Sequence, residues 1–303
     1  MKILQVSAPV GTPWRGIVKV LIIGITFAGS TSLSAFSYRG GATPLAVLLF
    51  RSCLAFALLY LLLRVQGIPR SLPMPQRRSA LLLGIIFASY SFGVLVAIKY
   101  LPVALVIATF YTFPLLIGLV EWWGGRQLFD MRTALALVTA FTGILLALDV
   151  FGAPLHHVGI TLCLLSALGV TIVVTLSAKI RGQGDSRPIT LHMLGSAITV
   201  FAIVGVVNGG IGLPNTPEAI VAFIGGALCY SFGIISLFVV VAEIGPVKAS
   251  LFMNIEPATS VLFGYLLLDQ QLGTRQLIGI GMVVSAVLLV ESAKLRPRRR
   301  LTR

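Results

Sequence analysis

Residues 89–114 read SYSFGVLVAIKYLPVALVIATFYTFP, and residues 229–257 read CYSFGIISLFVVVAEIGPVKASLFMNIEP. In both stretches a Tyr-Ser-Phe-Gly starts a long apolar helix and a short break with one Pro and one Lys follows. A second apolar helix then meets a proline partway along. The block returns after about 140 residues, with Tyr90 matching Tyr230 and Pro114 matching Pro257, which predicts a duplicated unit. Its runs are long and apolar enough to make that unit membrane-spanning.

Composition agrees. The chain has 303 residues, 57% hydrophobic and only 11% charged, with a mean hydropathy of +1.00. A soluble domain carries roughly 25% charged residues. The net charge of +14 raises the question of nucleic acid. The basic residues form no stripe interleaved with aromatics, however, and collect in short loops and in the tail, which excludes that partner. Cys53, Cys163 and Cys229 stand singly in apolar runs, fit neither a disulfide framework nor a metal site, and read as small hydrophobic filler. The apolar run from Ile17 is long enough to remain as a helix, so no cleaved leader is expected.

Ten runs meet the spanning criterion, near 17–37, 44–64, 79–98, 103–123, 132–149, 158–178, 189–208, 218–241, 247–268 and 275–293. An even number puts both termini on one side. Taking that side as cytoplasmic places 19 of the 23 basic residues there and leaves Arg39, Lys99 and Arg275 opposite, with Arg51 inside the second run. Tyr90 and Tyr230 lie five runs apart, so the copies cross the membrane in opposite senses. The expected fold is all-α integral membrane, with ten transmembrane helices as two inverted five-helix repeats. The first occupies 1–150 and the second 151–303, ending in a basic cytoplasmic tail. Inverted repeats exchange shapes and so alternate the access to a central cavity, which favours a carrier over a channel.

In hydrocarbon, polar side chains at helical spacing mark a cavity or a packing seam. Ser30 and Ser34 form a stripe with Thr26, Ser37 and Tyr38, and the sixth run answers it with Ser166, Thr171 and Thr175. Tyr90 and Tyr230 begin the central parts of their helices. Thr109, Tyr111 and Thr112 precede Pro114, and Ser250 and Asn254 precede Pro257. Each of these residues is a candidate cavity-lining group; for the Ser and Thr residues the alternative is a hydrogen bond to the preceding turn. Pro114 and Pro257 free the carbonyls of Phe110 and Met253 and are candidate hinges. Glu256 and Arg51 are the two charges well inside the spans, with a coupling or a structural role open to each. Lys99, Glu121, Asp149, Asp269 and Glu291 are expected at helix ends within reach of water. His156, His157 and His192 have no second ligand at metal spacing, there is no phosphate-binding loop, and no Ser-His-acid set occurs, so neither catalysis, metal nor cofactor is expected.

The segment GPVKASLFMNIEPATSVLFGYLLLDQQL, 245–272, resembles the EamA-type drug/metabolite transporter superfamily, with its Pro, small residues, Glu-Pro and short polar exit. YLPVALVIATFYTFPLLIGLVEWW is the weaker first-half copy, with Phe113 where the second half has Glu256. Arg51 falls where the family often has an arginine. The resemblance implies a basket of helices around a cavity walled by runs 1, 3, 4, 6, 8 and 9, in a bacterial inner membrane. The expected partners are the lipid bilayer and a small-molecule substrate, and the chain is expected as a monomer or a homodimer. The expected function is secondary transport of a small metabolite, with export of an amino acid or a related zwitterionic or aromatic compound foremost. Uptake of a riboflavin-like vitamin is the alternative within that class. A non-transporting membrane protein or lipid-handling enzyme is the alternative outside it.

Overall fold

The computed structural model describes residues 13–125, 131–152, 155–181, 184–208, 210–268 and 273–292. Among them the chain forms twelve helices and no strand: α1 (Pro13–Arg39), α2 (Pro44–Val65), α3 (Met74–Ala97), α4 (Val103–Phe110), α5 (Phe113–Trp123), α6 (Met131–Ala147), α7 (His157–Arg181), α8 (Arg187–Val207), α9 (Pro217–Ile244), α10 (Pro246–Met253), α11 (Ile255–Leu268) and α12 (Thr274–Ser292). Six spans are long and apolar enough to cross a membrane: α2, α3, α4 with α5, α7, α8 and α9. Asp269 and the basic tail lie outside the described residues, as does the side chain of Glu291.

The breaks follow the prolines. Pro114 has no N–H to offer Phe110, and the chain tightens at Tyr111 and Thr112, where the Leu115 amide bonds the Thr112 carbonyl at 3.0 Å. Pro257 leaves Met253 in the same position, and the Asn254 amide turns back to the Leu251 carbonyl at 3.2 Å. Two apolar runs are thus each divided into a short helix and a longer one.

The bundle is turned inside out relative to a soluble core. Leu61, Leu82, Leu165, Val206 and Leu228 face outward, while Ser30, Ser52, Ser177 and Ser231 are buried. Glycines bring helices together where hydrocarbon supplies no hydrophobic drive. At the α6–α12 crossing a Cβ on Gly143 would stand 2.8 Å from the Gly279 carbonyl oxygen.

The packing partners are paired. α1 lies on α9 as α7 lies on α3, and α2 meets α9 as α8 meets α3. α1 also leans on α11, and α7 leans on α4 and α5; α2 packs on α8 and α6 on α12. At one end the Thr43 amide bonds the Gly212 carbonyl and the Asn215 amide bonds the Gly40 carbonyl, both at 2.9 Å. Arg275 approaches Asp149 to 3.7 Å at that end. At the other end, which carries most of the loop arginines and lysines, Arg187 is held by Asp185 at 2.6 Å. The Asp185 carboxyl sits below the usual carboxylate range, first through its side-chain hydrogen bond from Arg187.

Candidate functional site

A cavity of about 260 Å³ lies at the centre of the bundle, and a wider one of about 800 Å³ lies beside it. Both are lined by Thr31, Arg51, Val94 and Ile107, so they are successive parts of one passage. The wider part continues past Ser34, Tyr38, Thr43, Lys99 and Asn208 toward the end opposite the basic loops. The central part is walled by α1, α3, α4, α5, α7, α9, α10 and α11, with Arg51 reaching in from α2. Its lining is aromatic to an unusual degree, with Phe27, Phe87, Tyr90, Phe110, Tyr111, Phe113, Tyr230 and Phe238.

Two contacts organise the polar groups. Tyr111, at the break after α4, donates its hydroxyl to Glu256 Oε2 at 2.8 Å, and Thr31 Oγ1 of α1 stands 3.4 Å from Oε1. Glu256 opens α11, so this carboxyl joins three elements. Arg51 lays its guanidinium over the ring of Tyr230, 4.1 Å from the centroid. Tyr230 in turn meets Phe27 edge-on at 5.9 Å. The Tyr230 hydroxyl, Ser30 Oγ and Arg51 Nε are buried without a hydrogen-bond partner.

Tyr90 stacks on Phe110 at 6.0 Å and turns its edge to Phe87. It reaches the cavity because α3 and α7 cross closely: a Cβ on Gly169 would stand 2.8 Å from Tyr90 Cβ, and one on Gly93 would stand 2.5 Å from Ser166 Oγ.

Of the residues expected from sequence, Ser30, Tyr90, Tyr111, Tyr230, Arg51, Glu256 and Pro257 line the central cavity, and Ser34 lines the wider one. Thr109, Thr112, Ser166, Thr171, Ser250 and Asn254 line neither. Ser166, Thr171 and Ser250 return their hydroxyls to the carbonyls of Leu162, Ala167 and Val247 and serve helix contact. Thr112 bonds the Thr109 carbonyl at 2.8 Å. Asn254 is buried at 1% exposure within the break, its Oδ1 unpartnered. Pro114 is buried in the first turn of α5, where it ends α4 rather than facing the cavity. Glu121, expected near water, is buried at 6% exposure, although its neighbours Leu119, Val120, Trp122 and Trp123 face outward. Of the three cysteines, only Cys163 is fully buried; Cys53 is exposed on the outer surface. The cavity's phenylalanines, with Val170, Val173 and Ile234, were not singled out, because an apolar residue in an apolar run gives no contrast.

Among the described residues no cluster of His, Cys, Asp and Glu is placed to hold a metal ion. His156 is occupied in a stack with Tyr100 and His157, at 5.0 and 5.1 Å between centroids.

This arrangement, a solvent-sized passage inside a bundle of membrane-spanning helices, is that of a small-molecule transporter. Residues 157–292 match the EamA-like transporter family, and that span includes the 245–272 segment that resembles it. Over 310 aligned positions, covering 93% of this chain and 94% of the relative, it is 23% identical to the uncharacterized transporter YcbK of Bacillus subtilis (strain 168). A solved crystal structure superposes with a TM-score of 0.72 over 92% of this chain and 99% of that one, at 17% identity, which is a likeness of fold. The family match points to membrane transport of a small molecule.

Proposed function

We propose that this protein is a secondary carrier that moves a small metabolite across a bacterial inner membrane by alternating access, with amino acids and related aromatic or zwitterionic compounds as the first substrates to test. The observation that carries this reading is the unequal closure of the passage. Toward one end the central cavity continues into the wider one. Toward the basic end, Lys19 of α1 pairs with Glu243 of α9 at 3.1 Å, and Arg181 of α7 donates to the Ala242 carbonyl at 3.1 Å. None of these four residues lines either cavity. A passage with one open and one closed end is half of an alternating-access cycle.

The paired packing supplies the other half. α1 on α9 and α7 on α3 are the same contact if the chain consists of two inverted five-helix repeats, 1–150 and 151–303, making ten spans in all. α4 with α5 and α10 with α11 then form the matching broken helices. The excess of loop arginines and lysines favours the basic end as the cytoplasmic side. The structure then has its cavity open outward. Few charges and many hydroxyls and rings favour a substrate with little net charge over a polyanion.

Counterflow in proteoliposomes of the purified protein tests this. Preloaded substrate is expected to accelerate entry of labelled substrate, with saturation, for at least one member of a panel of amino acids, amines and aromatic metabolites. Flux without saturation is the behaviour of a pore, and no flux across a broad panel would remove the carrier reading.

A further inference from the structure

We propose that Arg51 is a carboxylate-recognition point on the passage, and that the solute it selects is a small acid or amino acid whose apolar or aromatic body fills the central cavity. This rests on the transport reading and narrows its substrate class. The first ground is isolation. Among the described residues Arg51 has no ion pair and no hydrogen bond; its single close partner is the face of the Tyr230 ring, and its Nε is buried without an acceptor. A half-buried cation inside a membrane-spanning bundle with no ion pair of its own is by default a candidate functional group. A guanidinium is a planar fork of N–H donors that matches a planar, two-oxygen acceptor, and a carboxylate is that acceptor.

The second ground is the sign of the passage. The wider cavity is lined by Lys99 and Arg51 and by no Asp or Glu, so an anion is drawn along it toward Arg51. In the central cavity the one carboxyl, Glu256, already has Tyr111 and Thr31 as hydroxyl neighbours, and it stands beyond ion-pair distance of Arg51. The third ground is the set of hydroxyls left over. Ser30 and Tyr230 line the same cavity, and their buried hydroxyls have no hydrogen-bond partner among the described residues. Beyond them the wall is Phe27, Phe87, Phe110 and Phe238, which suits a ring or a branched chain and offers nothing to a second charge. At about 260 Å³ the cavity lies just below the roughly 300–1,000 Å³ usual for ligand pockets, so the solute is small.

The test compares 3-phenylpropionate with 3-phenylpropanamide, which have the same body and differ in the charge of the head group, by thermal shift and direct binding to the full chain in detergent at neutral pH. The acid is expected to bind at least about tenfold more tightly than the amide. Arg51→Gln is expected to abolish that preference while keeping the amide's affinity, and Arg51→Lys to keep part of it. Equal binding of acid and amide to the unaltered protein overturns the proposal, and that comparison stands even if a variant fails to fold. A purely structural Arg51 lowers the stability of Arg51→Gln and leaves the acid-to-amide ratio unchanged, which also overturns it. Counterflow of amines or neutral solutes with no preference for acids removes the carboxylate site and leaves the carrier reading intact. No counterflow of any solute removes both.

Discussion

Tyr111 and Glu256 occupy non-equivalent positions in the two halves, three residues before one proline and one residue before the other, yet they meet at 2.8 Å. In the first half the position of Glu256 is taken by Phe113, which is fully buried. The one carboxyl of the central cavity is therefore held by a hydroxyl from the break after α4, so a shift of α11 against α4 is felt at Glu256. We expect Glu256 to be the coupling group. Glu256→Gln keeps the shape and an acceptor for Tyr111, so substrate binding by thermal shift is expected to persist while uphill uptake driven by a pH gradient is lost. An unchanged pH dependence of uptake in that variant would exclude it. The charged and tyrosine members of the site were legible in the sequence, because a charge or a hydroxylated ring within a hydrocarbon run needs a partner. The serines and threonines were not separable: a hydroxyl that bonds the carbonyl one turn back, as Thr171 does with Ala167, satisfies itself wherever its helix faces.

At the scale of the helix, the elements were legible from apolar length, and the divisions at Tyr111–Thr112 and at Asn254 from the missing proline amides. How closely two helices approach was not, since it depends on which glycine meets which neighbour. The α3–α7 crossing is the decisive one, because Gly169 leaves room for Tyr90 on the cavity wall. Gly169→Ala would place a methyl 2.8 Å from Tyr90 Cβ, an atom fixed to the backbone. The helices must then separate, at a cost of about 1–3 kcal/mol. The melting temperature is expected to fall and substrate affinity with it. Gly225→Ala is the control: its methyl would stand 3.4 Å from the mobile Cδ1 of Leu33, and a change within about 0.5 kcal/mol is expected in the same melt.

For the molecule as a whole, the duplicated Tyr-Ser-Phe-Gly block predicts a pair of inverted repeats, and the α6–α12 contact away from the cavity could not be read from it. The basic end is held by little. The Lys19 and Glu243 side chains are 53% and 46% exposed, and such a pair contributes only about 0–1 kcal/mol. On the proposed carrier reading a weak latch is expected, since it would break in every cycle. Replacing both residues, Lys19→Gln with Glu243→Gln, is expected to leave the melting temperature within about 1 kcal/mol of equivalent stability. The same change is expected to raise the labelling rate, from the basic side, of a cysteine placed at Leu237. Unchanged labelling would mean that the pair takes no part in closure. The two hairpins α3–α4 and α9–α10, one at each end of the bundle, are built differently. Between α3 and α4 the chain uses residues 98–102, whereas Gly245 alone, at φ +86°, ends α9 and begins α10. Only glycine adopts that backbone readily. Anyone grafting an epitope or a fluorophore site onto this protein will therefore find slack at 98–102 and none at Gly245, where a single inserted residue would change the phase of α10 against α9.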